Sequence, residues 1–161
     1  MSAFPDSPEN GVLVLRRVFA ASAGRVYEAW THKEQLDQWC APKDFTVVES
    51  GGDLRPGGAW RSCMRAPWGA VFCVGGVYRE LIEGERLSFT HAWEEEKGHG
   101  HETLVTVRFI DHDGRTEMMF EQGVFETIES RDSHAAGWSE CFHRLAEFLS
   151  GDQGDPSPAR R

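Results

Sequence analysis

Apolar residues recur at two different spacings along this chain, and the change of spacing divides it. The run VLVLRRVF, from Val12 to Phe19, is rich in aliphatic β-formers and predicts a first strand. Ser22 then stands where a helix N-cap is favoured, with Arg25 in the third helical position. AGRVYEAWTH puts Val26, Tyr27 and Trp30 on one side, and KEQLDQWC continues with Leu36 and Trp39 until Pro42 stops it. Two short helices are therefore expected after the first strand.

From Lys43 onward the signals are strand and turn. DFTVVES is β-forming, and GGDLRPGG reads as a bend or bulge region. AWRSCMRA alternates Trp60, Ser62 and Met64 against Arg61, Cys63 and Arg65, and APWGA is a hairpin connection. Val71 to Ile82 is one long strand in which Gly75 and Gly76 permit a kink or bulge. RLSFTHAW sets Leu87, Phe89, His91 and Trp93 against Ser88, Thr90 and Ala92. The stretch EEEKGHGH is a solvated loop, ETLVTVRFI a strand with Val105, Val107 and Phe109 on one face, DHDG a tight turn, and RTEMMFEQG the next strand.

The period then returns to helical. Between Arg131 and Ser150, Trp138, Phe142, Leu145, Ala146 and Leu149 form one apolar face, and His134 lies four residues before Trp138 on the same side. The order is strand, two short helices, six strands, long helix. Short connections make the strands an antiparallel meander, and a helix laid across such a curved sheet encloses a space. There is no repeat and no linker, so a single domain over residues 11–150 is expected, with flexible termini at 1–10 and 151–161.

Composition narrows the function classes. The net charge of -9 and the pI near 5.2 argue against nucleic acid and against anionic membrane surfaces. No apolar run is long enough for membrane insertion. The opening MSAFPDSPENG lacks the basic and apolar regions of a signal peptide, so a cytoplasmic location is expected. The four cysteines, at 40, 63, 73 and 141, show no CxxC spacing and are expected to be free thiols, with no zinc site.

Several strings, taken together and in order, resemble the helix-grip superfamily of START and Bet v 1-like domains (SRPBCC). More narrowly they resemble the activator of Hsp90 ATPase homologue 1-like family in its bacterial single-domain form. The strings are FAASAGRVYEAWTHKEQLDQW (19–39), DLRPGGAWRSCM (53–64), GVYRELIEGERLSFTHAW (76–93), LVTVRF (104–109) and HAAGWSECFHRLAEFL (134–149). The resemblance implies an α+β helix-grip fold, with a curved antiparallel sheet of about six to seven strands wrapped around a long C-terminal helix. It also implies either a ligand carrier or a co-chaperone module, and the superfamily hosts cyclases as well. One departure stands out. Members usually carry a second aromatic after Trp39, where this chain has Cys40.

The residues expected to line a cavity are Trp39, Trp60, Met64, Phe89, His91, Trp93, His134 and Trp138. Of the two histidines, His134 is the expected polar group of the pocket, and His91 reads as a satisfied structural histidine. Glu102 reads as a solvent-facing residue at a hairpin end. His99 and His101 beside three glutamates suggest a metal, but a glycine-broken loop does not fix ligands. Asp111, Asp113 and Gly114 lack the remaining positions of a calcium loop. Asp53 and Arg55 are expected to pair. No GxSxG, HExxH or phosphate loop is present. The expected function is binding of a small hydrophobic or amphipathic molecule, with no cofactor and with a homodimer possible. The alternatives are an Hsp90-type co-chaperone and a cyclase or hydratase using His134 or His91.

Overall fold

The computed structural model describes residues 11–153. Strand β1 (Leu13–Phe19) leads into helix α1 (Ala23–Thr31) and helix α2 (Lys33–Trp39). The Ser22 hydroxyl accepts from the Arg25 amide at 3.2 Å, which satisfies one of the orphan donors at the start of α1. Strands β2 (Thr46–Gly52), β3 (Ala59–Arg65), β4 (Val71–Ile82), β5 (Arg86–Glu95), β6 (Gly98–His99), β7 (Thr103–His112) and β8 (Arg115–Gly123) follow. Helix α3 (Ile128–Gln153) comes last.

The strands form one antiparallel sheet in the order β1-β8-β7-β5-β4-β3-β2, with the short β6 paired to β5. β1 closes the meander by pairing with β8, from Leu13 opposite Gln122 to Phe19 opposite Thr116. The fold is thus the α+β helix-grip arrangement. The period-2 pattern explains β8: Thr116, Met118, Phe120 and Gln122 are buried, and Met118 and Phe120 join the core. Trp30 of α1 lies near the middle of that core, with ring centroids 4.9 Å from Trp39, 5.9 Å from Trp138 and 6.1 Å from Phe142. Each such aromatic pair adds about 0.5–1.5 kcal/mol beyond burial of area. Their polar handles are also accommodated. The Trp39 indole donates to the Ala29 carbonyl at 3.1 Å, and the Trp30 indole points at the Met118 sulfur at 3.4 Å.

Several expectations need correction. Cys63 and Cys73 are joined by a disulfide, and only Cys40 and Cys141 are free. The cause is register: the β3–β4 hairpin sets Cys63 directly opposite Cys73, with Cα atoms 4.0 Å apart. The loop expected over 94–101 contains strand β6, whose pairings are Glu94 with His99 and Glu95 with Gly98. Strand β2 runs on through Gly51 and Gly52, which pair with Arg61 and Trp60.

The irregularity in β4 falls at Tyr78 and Glu80 rather than at the glycine pair. Gly76 answers to close approach instead, since a Cβ there would come within 2.0 Å of the Thr90 carbonyl oxygen. Helix α3 is longer than the periodic segment, starting at Ile128. The expected flexible terminus 1–10, and residues 154–161 of the other, lie outside the described residues. Among the described residues no helix is long and apolar enough to cross a membrane.

Candidate functional site

The inward faces of β3, β4 and β5 and the N-terminal half of α3 enclose a cavity of about 480 Å³. The alternation of β3 sends Trp60, Ser62 and Met64 to it, and that of β5 sends Leu87, Phe89, His91 and Trp93. Helix α3 supplies His134 and Trp138 one turn apart, together with Cys141. Seven of the eight residues expected from sequence therefore line one space. Trp39 does not. It is fully buried in the core beneath, edge-on to Trp30.

The cavity reaches the surface at the β3–β4 hairpin. Phe45, Trp68 and Phe72 form an aromatic cluster there, with centroids 5.7–6.4 Å apart, and Trp68 is 70% exposed. Three charged residues line the space, and each is already paired. The Lys33 ammonium lies 3.0 Å from Asp37, and Asp37 also accepts from the Ser50 hydroxyl at 2.7 Å. The Arg61 guanidinium bonds to Glu94, with Glu49 at 3.5 Å.

The two histidines differ in what they touch. His134 is half-buried, and both of its ring nitrogens are engaged: Nε2 accepts from the Trp93 indole at 2.9 Å and Nδ1 meets the Ser130 carbonyl at 2.7 Å. His91 is 5% exposed and packs among Trp60, Trp93, His134 and Trp138. Its ring bonds with the residue's own backbone. Burial, and next the His134 ring, push the His91 pKa down to about 3, so the imidazole is neutral at physiological pH. The strand buries the ring among aromatic faces, with its own backbone as hydrogen-bonding partner.

Tyr78 and Cys141 on the wall were not singled out from sequence, whereas Cys40 was. Tyr78 keeps its phenol proton, since burial pushes its pKa up to about 12. Cys40 and Cys141 approach each other. The Cys40 thiol, and next burial, push the Cys141 thiol well above its ordinary value, which leaves it protonated and a poor nucleophile. Beneath the wall runs a buried chain. The Trp138 indole donates to the Gln122 side chain at 2.9 Å, Gln122 donates to the Thr103 hydroxyl at 2.9 Å, and Thr103 donates to the His91 carbonyl at 3.3 Å. This chain ties α3 to β8, β7 and β5. Gln122 was detectable as a polar residue in phase with the buried positions Met118 and Phe120 of its strand.

The remaining candidates stay apart from this space. His101 Nε2 lies 2.6 Å from the Val124 carbonyl, His99 and Glu102 are exposed, and Arg55 pairs with Asp53 at 2.6 Å. Among the described residues no group of three or more His, Cys, Asp or Glu is placed to hold a metal ion.

Solved structures share the whole architecture. A Chromobacterium violaceum protein superposes with a TM-score of 0.77 at 26% identity, covering 85% of this chain and 95% of its own. A Silicibacter pomeroyi AHSA1 protein gives 0.80 at 23%, covering 88% and 99%, and a Rhodobacter sphaeroides protein gives 0.78 at 25%, covering 92% and 96%. A comparison with curated proteins finds no significant match. The family model described as activator of Hsp90 ATPase homolog 1-like protein matches residues 20–150, and the chain belongs to that family.

Proposed function

We propose that this protein binds a small hydrophobic or amphipathic molecule in the cavity between the sheet and α3. One observation supports this above the others: a cavity of about 480 Å³ remains open among aromatic side chains, with the neutral His91 imidazole on its wall. Ligand sites typically have volumes of about 300–1,000 Å³, mostly apolar walls and a few polar groups. A buried ring with a pKa near 3 is a weak base at neutral pH, which favours binding over acid–base catalysis by His91. His134, with both nitrogens engaged, has no free position for a substrate proton. Native mass spectrometry of freshly purified protein tests the reading. A copurifying small molecule, released on denaturation, supports it.

The second reading is a protein-interaction module of the kind the family description names. The rim of exposed Trp68 and Phe72 beside the half-buried Phe45 favours it, because contiguous exposed aromatics mark interaction sites. The same measurement separates the two, since capture of an ATPase with no small molecule supports the module.

A further inference from the structure

The charges around the cavity constrain what can enter it. The cationic side chains on its wall, Lys33 and Arg61, are about half exposed at the rim and are already paired to Asp37 and to Glu94. A carboxylate on a ligand would find no unpaired cation there. An ammonium would meet Asp37, which already receives both Lys33 and the Ser50 hydroxyl. The Trp60, Trp93 and Trp138 rings around His91 are uncharged, and the His91 ring itself is kept neutral by burial. A neutral imidazole presents one donor and one acceptor, and the backbone of His91 itself takes up one of them. The remaining ring position, on the cavity wall, is one that an entering polar group can engage. A charged group would bring a far larger cost of its own with nothing to offset it.

We propose that the polar part of the bound molecule is an uncharged hydrogen-bonding head, an alcohol, phenol or carbonyl, seated against the His91 imidazole. Carboxylates and ammonium ions are excluded from that position. This rests on the ligand-binding reading above and specifies its ligand class. The protonated Tyr78 phenol, further along the same wall, offers a second uncharged contact for a molecule with two polar ends.

The test is displacement of the uncharged dye N-phenyl-1-naphthylamine at neutral pH by ligands with one tail and different heads: 1-decanol, decanamide, decanoate and decylammonium. The alcohol and amide are expected to displace the dye at concentrations about tenfold lower than the two ions. In His91→Leu and in His91→Gln the dye should still bind. Leu should erase most of the alcohol's advantage, and Gln should retain part of it. Decanoate or decylammonium matching decanol, with no change in His91→Leu, means the head stays at the rim and overturns the proposal. Should a variant not fold, the series on the unaltered protein decides alone. Failure of the dye itself to saturate rejects the cavity as a binding site, and the proposal with it. That result is distinct from saturation without head-group preference, which rejects only the proposal.

Discussion

The Trp93 indole donates to His134 Nε2 at 2.9 Å, while His134 Nδ1 lies 2.7 Å from the Ser130 carbonyl. The two bonds assign the proton to Nδ1 and pin the start of α3 to strand β5. His134 therefore braces the wall. His134→Ala should lower unfolding stability in urea by about 1–3 kcal/mol, because it leaves the Trp93 N–H without its partner. Ligand affinity should change little beyond that. A variant of full stability with weakened binding would restore His134 as the direct polar contact.

The Trp138–Gln122–Thr103 chain makes Trp138 more than an apolar filler. Trp138→Ala should cost about 3–5 kcal/mol by removing a buried ring. Trp138→Phe should still cost about 1–3 kcal/mol, since Gln122 keeps a buried amide oxygen with no donor. Adding Gln122→Leu to Trp138→Phe should recover part of that loss. Denaturant curves on the unaltered protein, on Trp138→Phe and Gln122→Leu singly and on the double variant check the coupling, and strict additivity would contradict it.

His91 should make stability depend on pH. Its folded pKa, about 3, lies below the unfolded value near 6.5, so between these values the unfolded chain binds more protons. Its contribution is complete above about pH 6.5 and is lost as pH falls toward 3. Between pH 6.5 and 5 the loss should be about 2 kcal/mol. His91→Phe should flatten that slope in urea unfolding across the range. An unchanged slope would show that the ring protonates freely in the folded state.

Thiol titration of the denatured protein without reductant should find two reactive groups, Cys40 and Cys141, and four after reduction. Reduction should cost about 2 kcal/mol, at the low end for disulfides because the β3–β4 pairing already closes the loop. Four groups without reductant would contradict the Cys63–Cys73 link.

The sequence was most readable where side chains alternate between faces. β8 alternates in burial, and although both faces of β5 are buried, its period of two assigned Phe89, His91 and Trp93 to one wall. Trp39 shows the limit of that reasoning. Helical spacing put it on the same side as Leu36, but the packing of α2 against α1 sends the indole to the Ala29 carbonyl and Leu36 to the cavity. The disulfide was legible in principle. Cys63 and Cys73 stand equally far from Trp68 at the hairpin centre, which places them opposite each other once the register is known. That both nitrogens of His134 are taken up was not legible. It depends on Trp93 and Ser130 being within hydrogen-bond reach of one ring, a matter of three-dimensional placement.

The central claim, that the space between sheet and α3 is a binding site, is tested most directly by titrating N-phenyl-1-naphthylamine into the unaltered protein and into Met64→Trp, whose larger side chain should fill the cavity. The account predicts saturable binding of one dye per chain with a micromolar Kd, about -8 kcal/mol. In Met64→Trp, binding should fall at least about tenfold with cooperative unfolding retained. Absence of saturable binding to the unaltered protein, or equal binding to a folded Met64→Trp, would contradict it.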